Sequence, residues 1–206
     1  MCGKPGCSKT MSVQLTAANL RGTDSQDPFF KSLPRLLMIT YQGSEASTSQ
    51  GIEKTFQKAV NLKLNAKDKN LLPIILFDEI GLAEISPFNP LKVLHAWLEP
   101  EKPLIGFVGI SNWRLDASKM NRAIYITRPD PTGNELELTA EAIFQSYGKE
   151  YDKIDQMIMK SLASTYFQFR KEQQESKTPD FHGTRDFYSL VKDVSKELNH
   201  LKKFDM

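Results

Sequence analysis

Residues 71–81 read Leu-Leu-Pro-Ile-Ile-Leu-Phe-Asp-Glu-Ile-Gly. The run from Ile74 to Phe77 is short, β-rich and uninterrupted by a polar residue. A strand with one solvated face alternates apolar and polar residues, whereas a strand covered on both faces does not. The run therefore predicts a buried strand of a parallel sheet with helices flanking it. It ends in two adjacent carboxylates, Asp78 and Glu79, at the C-terminal strand edge where open α/β sheets bind ligands. Alternation sends the two side chains in different directions. Asp78 is placed to hold a hydrated Mg²⁺, and Glu79 to polarise an attacking water. An acidic turn after a strand would read the same way, so the pair gains its weight from its company.

That company stands about 70 residues upstream. Gly3-Lys4-Pro5-Gly6-Cys7-Ser8-Lys9-Thr10 reads as a phosphate-binding loop. Such a loop wraps backbone N–H groups around phosphates, and the following helix points its positive end at them. Gly3 and Gly6 suit backbone that must approach phosphate closely or take positive φ. Lys9 would reach the β- and γ-phosphate oxygens, and the Thr10 hydroxyl would ligate Mg²⁺. Ser8 departs from the common pattern, which has glycine directly before the lysine. Alone, the octapeptide is compatible with a solvated turn; with the carboxylate-ended strand it points to ATP and Mg²⁺.

The 206 residues suit one compact domain or a core domain with a small lid. A net charge of +2 gives no broad electrostatic case for nucleic acid. No run of 18 apolar residues occurs, so no transmembrane segment is expected, and no signal peptide is visible. Cys2 and Cys7 are too few for a disulfide framework, and no Cys/His cluster has zinc spacing, so a reducing compartment is expected. His95, His182 and His200 lie far apart and read as surface or packing residues.

Along the chain, residues 10–20 read as the helix after the loop, 21–35 as a loop, 36–41 as a strand and 42–50 as a polar loop. A helix over 51–64 carries Ile52, Phe56, Ala59, Val60 and Leu64 at helical spacing. After the 71–81 strand, Pro87 and Pro90 precede a helix with Leu91, Leu94, Trp97 and Leu98 as its apolar positions. Residues 105–110 and 123–127 read as two further strands. Residues 137–147, 151–175 and 185–203 read as helices, the second packing through Ile154, Ile158, Leu162, Tyr166 and Phe169. Two prolines and a glycine within 128–134 mark the boundary. The expected division is an α/β nucleotide-binding core over 1–131 and a helical lid over 132–206.

Three more motifs complete a pattern. Asn112 ends the 105–110 strand, Arg122 directly precedes the 123–127 strand, and Arg185 opens the last helix in Gly-Thr-Arg-Asp. The set resembles an AAA+ ATPase module. More narrowly, it is similar to the nucleotide-binding modules of the mysterin family, giant RING-finger AAA+ E3 ubiquitin ligases. The closeness is carried by residues 3–10, Tyr-Gln-Gly-Ser (41–44), Ser-Thr-Ser-Gln-Gly-Ile (47–52), Phe-Asp-Glu-Ile-Gly-Leu-Ala-Glu (77–84) with Pro-Leu-Lys (90–92), Ser-Asn-Trp through Asn-Arg (111–122), and Gly-Thr-Arg-Asp-Phe-Tyr-Ser-Leu-Val (183–191). In this family a serine before the loop lysine is normal.

The resemblance implies a P-loop AAA+ parallel sheet with flanking helices, followed by a small all-helical lid. It implies ATP and Mg²⁺ as ligands. Gly3, Pro5, Gly6, Cys7, Ser8, Lys9 and Thr10 would hold phosphate, with Asp78 and Thr10 on the metal. Glu79 would be the catalytic base, Asn112 the first sensor and Arg185 the second. Arg122 would be the arginine finger, acting in trans on a neighbouring module of a ring, with Arg114 and Arg128 as competitors. A plain surface role for Arg122, and pairing of Arg185 with Asp186 or Asp180, are the structural alternatives. Implied too are RING and ubiquitin machinery in a parent protein, and a cytoplasmic location with lipid-droplet association.

The departure from the pattern lies at the start. The loop normally follows a buried strand, yet only Met1 and Cys2 precede Gly3, and no RING cysteines occur. A first strand missing from the sheet and a truncated origin are therefore expected, with any ligase activity belonging to the parent. The function expected is Mg²⁺-dependent ATP binding and hydrolysis that drives or gates conformational change. The alternatives are a non-catalytic ATP-binding scaffold or an inactive fragment, with a motor or clamp-loader class disfavoured by the Asp-Glu-Ile-Gly and Asn-Trp motifs.

Overall fold

A computed structural model describes residues 1–147, 152–175 and 182–204. The chain divides into two compact units, Met1–Lys4 with Ser8–Arg128, and Pro5–Cys7 with Pro129–Met206.

The first unit is built on three parallel strands, β1 (Arg35–Gln42), β2 (Leu71–Asp78) and β3 (Gly106–Gly109), in the order β1-β2-β3. Parallel neighbours need crossover connections, and the helix α3 (Ser49–Leu64) supplies the one from β1 to β2. β2 is central: Phe77 lies opposite Tyr41 on one side and Gly109 on the other. Residues 73–77 of β2 are all buried, as the unbroken apolar run requires. Thr48 caps α3, accepting the Gly51 N–H at 3.2 Å. Ile52, Phe56 and Ala59 then fall on one face and pack with Ile75 and Phe77. The Phe56 ring stacks on Trp97 and Phe107, and Phe77 meets Tyr41 edge-on at 4.8 Å. The first helix, α1 (Lys9–Asn19), follows the glycine-rich loop directly.

The structure departs from the sequence reading in several places. Residues 21–35 are not plain loop: they hold a 3-10 turn (Gly22–Asp24) and a short helix, α2 (Pro28–Lys31). Asp27 caps α2 through the Phe29 N–H at 2.7 Å, and Pro28 stands where a missing N–H costs nothing. After β2 come α4 (Ile80–Glu84), a 3-10 turn at Pro90–Val93, and α5 (Leu94–Leu98), so the helix expected after Pro90 is split; a short helix, α6 (Ala117–Met120), follows β3. The expected strand over 123–127 does not form. That stretch makes one parallel bridge, Thr127 with Cys2, and Ile124 is 90% exposed. Its pairing is confined to Met1–Gly3: Cys2 N–H donates to Ile126 O at 2.9 Å, and Arg128 N–H to Cys2 O at 2.7 Å. The same three residues pair with β3's end, through Met1 N to Gly109 O, Ser111 N to Met1 O and Gly3 N to Ser111 O. One bridge is too short a ladder to hold a strand.

The second unit is helical. Its helices α7 (Gly133–Tyr147), α8 (Lys153–Gln174) and α9 (Thr184–Phe204) enclose Leu136, Ala140, Phe144, Met159, Ala163, Tyr166, Phe187 and Val191. Asp152 and Asp155 form a reciprocal capping box at the start of α8. The buried face of α8 is Asp155, Met159, Ala163, Tyr166 and Arg170, so the expected face is turned by about one residue. Of the expected face, Tyr166 is buried and Ile158 and Leu162 pack against this core, whereas Ile154 is 68% exposed and Phe169 is exposed as well. Two polar residues move the face: Asp155 is spent in the cap, and Arg170 pairs with Asp130 at 3.0 Å. Once paired, such groups bury without the penalty that hydropathy assigns them.

Tyr166 stacks on Phe187 at 4.6 Å and donates its hydroxyl to His182 O at 3.3 Å. Burial pushes its phenol up to about 12. An unfolded tyrosine ionises near 10, so between these values the unfolded chain releases a proton that the folded chain keeps. Stability from Tyr166 is therefore full below pH 10 and is lost as pH rises through 10 to 12. Urea unfolding across pH 9–12 should show that decline, and Tyr166→Phe should flatten it; an unchanged slope in the variant would refute this assignment.

Candidate functional site

The C-terminal ends of β2 and β3 and the start of α1 bring five sequence-predicted residues together. Ser8, at φ 59, and Gly6, at φ 87, both take left-handed backbone. Glycine does so freely, and a serine pays for it. Ser8 is the N-cap of α1 yet makes no side-chain cap, so its contribution is the turn itself. That turn delivers Lys9 and Thr10 as the first helical residues.

Lys9 is 7% exposed, and its ammonium donates to Gly3 O at 2.6 Å, Lys4 O at 3.0 Å and Asn112 Oδ1 at 2.9 Å. Asn112 in turn donates through Nδ2 to both Glu79 carboxylate oxygens, at 2.9 and 3.2 Å. The chemistry fixes which way this amide faces: an ammonium only donates and a carboxylate only accepts. One asparagine thus joins the loop lysine to the strand-end glutamate. Alongside, Thr10 Oγ1 donates to Asp78 Oδ2 at 3.1 Å, and Asp78 Oδ1 accepts the Glu79 N–H at 3.0 Å.

The two neighbouring carboxylates are separated by a backbone turn. Glu79, at φ 51 and ψ 42, is left-handed and opens α4. The strand alternation expected from sequence stops at Asp78. Contacts on two sides hold the turn. Ile80 N–H donates to Ile110 O at 2.9 Å, and Gly43 N–H donates to Asp78 O at 2.7 Å. A Cβ on Gly43 would overlap the Glu79 carbonyl oxygen, so only glycine fits there. The Gly43 loop is itself anchored: Ser44 N–H donates to Ser47 Oγ at 3.0 Å, and Ser86 Oγ donates to Ser47 O at 2.9 Å, with Ser47 and Ser86 both buried.

The arrangement presents an ammonium, a hydroxyl–carboxylate pair and a second carboxylate around one strand edge. Thr10 and Asp78 form a hard-oxygen donor pair of the kind that suits Mg²⁺ beside phosphate. The left-handed loop and the N-terminus of α1 suit an anion. The residues present therefore fit a magnesium–nucleotide complex. An apolar cavity of about 550 Å³ in this unit is lined by Val13, Trp97, Val108 and Tyr125 among others, but by none of Lys9, Thr10, Asp78, Glu79 or Asn112. The polar cluster is the better site on chemical grounds.

The remaining candidates lie apart from the cluster. Arg122 pairs with Glu99, Nη2 to Oε1 at 2.7 Å, and bonds Asn121. Arg114 lies over the Tyr125 ring at 5.4 Å, and Arg128 holds Cys2 through its backbone. Arg185 stands in the first turn of α9 in the second unit, which also contains Pro5–Cys7. Within that unit Thr184 Oγ1 contacts Pro5 O at 3.5 Å, and a Cβ on Gly6 would lie 3.1 Å from Arg185 N. Asp186 accepts the Gly183 N–H and approaches His182 at 3.7 Å; Asp180 lies outside the described residues. Cys2 and Cys7 are both buried. No group of three metal-ligating side chains occurs among the described residues, and no described helix is long and apolar enough to cross a membrane. Sequence reading gave no role to Gly43, Gly81, Ser111 or Trp113. Their signal is visible as two glycines, a serine and an indole inside the quoted motifs, without a partner to explain them.

Comparison with known proteins agrees with this architecture. The chain is 37% identical over 203 residues to the human E3 ubiquitin-protein ligase RNF213, and 39% identical over 204 residues to E3 ubiquitin-protein ligase rnf213-beta of Danio rerio. These alignments cover 94% and 93% of this chain, which spans about 4% of each relative's length. Among solved structures, PCH-2 of C. elegans superposes with a TM-score of 0.55 at 16% identity, covering 95% of this chain and 59% of that one, which is a likeness of fold. The model of the RNF213 AAA domain matches residues 1–135, and the chain belongs to that family.

Proposed function

We propose that the chain is a Mg²⁺-dependent ATP-binding and ATP-hydrolysing AAA+ module of a mysterin-like E3 ubiquitin ligase. The observation that carries this reading is the hydrogen-bonded series from Lys9 through Asn112 to Glu79, beside the Thr10–Asp78 pair. In it every side chain has a task. Lys9 supplies positive charge to the β- and γ-phosphate oxygens, and backbone of residues 3–8 cradles them. Thr10 and Asp78 hold the cation, which when bound neutralises charge on the phosphate oxygens. Glu79 accepts a proton as water attacks the γ-phosphorus, giving ADP and phosphate. Asn112 positions that carboxylate.

Arg122 is the arginine offered to a neighbouring module's site, where it offsets transition-state charge; Glu99 holds it ready. Arg185 is the corresponding sensor from the helical unit. The units act as nucleotide-binding core and lid, and turnover drives or gates rearrangement in a ring of such modules. Ubiquitin transfer belongs to the RING machinery of the parent ligase, in the cytoplasm or at lipid droplets.

Calorimetry with Mg²⁺ and ATP tests binding first. Saturable heat is expected from the chain and none from Lys9→Ala; equal binding by both would remove the loop from the site. Turnover tests the chemistry. Glu79→Gln keeps the side chain's shape and removes the base, so ATP affinity should stay within a few-fold while hydrolysis falls by roughly 10²–10⁴. Undiminished hydrolysis in Glu79→Gln would instead make the module a scaffold that holds ATP.

A further inference from the structure

The motifs Asp-Glu-Ile-Gly (78–81) and Ser-Asn-Trp (111–113) are packed against one another, and the contact point is Gly81. A Cβ built there would lie 2.7 Å from Ser111 Oγ, 2.7 Å from Trp113 Cε2 and 2.8 Å from Trp113 Cζ2. No real side chain tolerates such distances, so α4 and the segment after β3 can meet this closely only across a bare Cα. The residues touched are the two that flank Asn112 in the chain. They are also joined to each other, because Ser111 Oγ accepts the Trp113 N–H at 3.2 Å. Ser111 is buried, whereas Trp113 is 39% exposed, with its ring edge against Gly81.

We propose that Gly81 and Trp113 are positioning residues for Asn112: the indole seated on the Gly81 backbone and the Ser111–Trp113 turn together hold the Asn112 amide aimed at Glu79 and Lys9. This rests on the reading of Asn112 and Glu79 as working groups of the site. The geometry gives the seat its effect. Asn112 is the central residue of a three-residue turn whose outer members both press on one Cα. A displacement of either outer member rotates the peptide planes that carry the Asn112 side chain. Its three hydrogen bonds, at 2.9, 2.9 and 3.2 Å, have little slack before they break. A second tie runs parallel to the seat. Glu84, at the other end of α4, accepts the Asp116 N–H at 2.8 Å and approaches Lys119 at 3.5 Å. The segment leaving Asn112 is thus fixed to α4 at two points, and the first of these needs glycine.

The test reads the Asn112 side-chain amide directly, by NMR on the whole 206-residue chain without nucleotide. Its two N–H signals are assigned by their loss in Asn112→Ala. Solvent exchange of these protons should rise at least about tenfold in Gly81→Ala and several-fold in Trp113→Phe, with the buried Ile75 N–H unchanged. Exchange at Asn112 within about twofold of the unaltered chain in both variants would overturn the proposal. A rise shared equally by Ile75 would also overturn it, since that is general loosening. Trp113 is part-exposed, so Trp113→Phe decides the matter if Gly81→Ala does not fold. A second readout separates this proposal from the nucleotide reading. ATP affinity by calorimetry in Gly81→Ala should stay within about threefold while turnover drops at least tenfold. If the unaltered chain binds no ATP, the nucleotide reading fails, and the exchange comparison still decides the positioning claim.

Discussion

A lysine ammonium and a glutamate carboxylate, 70 residues apart in sequence, are joined by a single asparagine side chain. The rest of the first unit exists to make that possible. The amide brings opposite charges into one network, with the ammonium on its oxygen and the carboxylate on its nitrogen. Lys9 is buried, and a buried cation without partners is costly. Its carbonyl partners Gly3 O and Lys4 O come from the same loop, so the loop closes on its own lysine. Phosphate oxygens offer the same ammonium stronger, charged acceptors. A phosphate bound at this loop would therefore exchange partners at Lys9, with Asn112 standing at the point of exchange.

The scaffold beneath is an instance of a general rule about where parallel sheets carry chemistry. β2 runs between β1 and β3 and is buried over residues 73–77, and it ends at the half-buried Asp78. Strand ends leave main-chain groups free of the ladder, and these bind the loops that arrive there: Gly43 N–H takes Asp78 O, and Ile80 N–H takes Ile110 O. The polar loop after β1 contributes no charged group to the cluster, yet its buried serines and its glycine fix the backbone on which Glu79 turns.

Much of this was legible in the chain. The unbroken run 74–77 specified a doubly covered strand, and the loop lysine and threonine, strand-end acids and Asn112 came together as their motifs implied. What stayed hidden has physical causes. Residues 123–127 have the composition of a strand, but strandhood is a property of pairing, and their pairing is limited to one bridge with Cys2. The face of α8 packs through Ile158, Leu162 and Tyr166 as expected but is centred about one residue away, because hydropathy cannot see that Asp155 belongs to a capping box and Arg170 has Asp130. Glycines resist reading for a different reason: Gly43 and Gly81 matter through the side chain they lack, and only the neighbour across the gap reveals it.

The left-handed backbone of Glu79 has one more consequence, for how any change there is interpreted. Non-glycine residues take this conformation at a cost of about 1 kcal/mol or more, and the surrounding contacts hold it in place. Glycine at 79 would lift that cost, and a β-branched residue would raise it, so both alter the fold of the turn together with its charge. Glutamine keeps the stem, the branching and the backbone preference of glutamate. At this position an isostere is the one replacement whose effect can be read as chemistry, while a truncation mixes the loss of a carboxylate with the release of a strained turn.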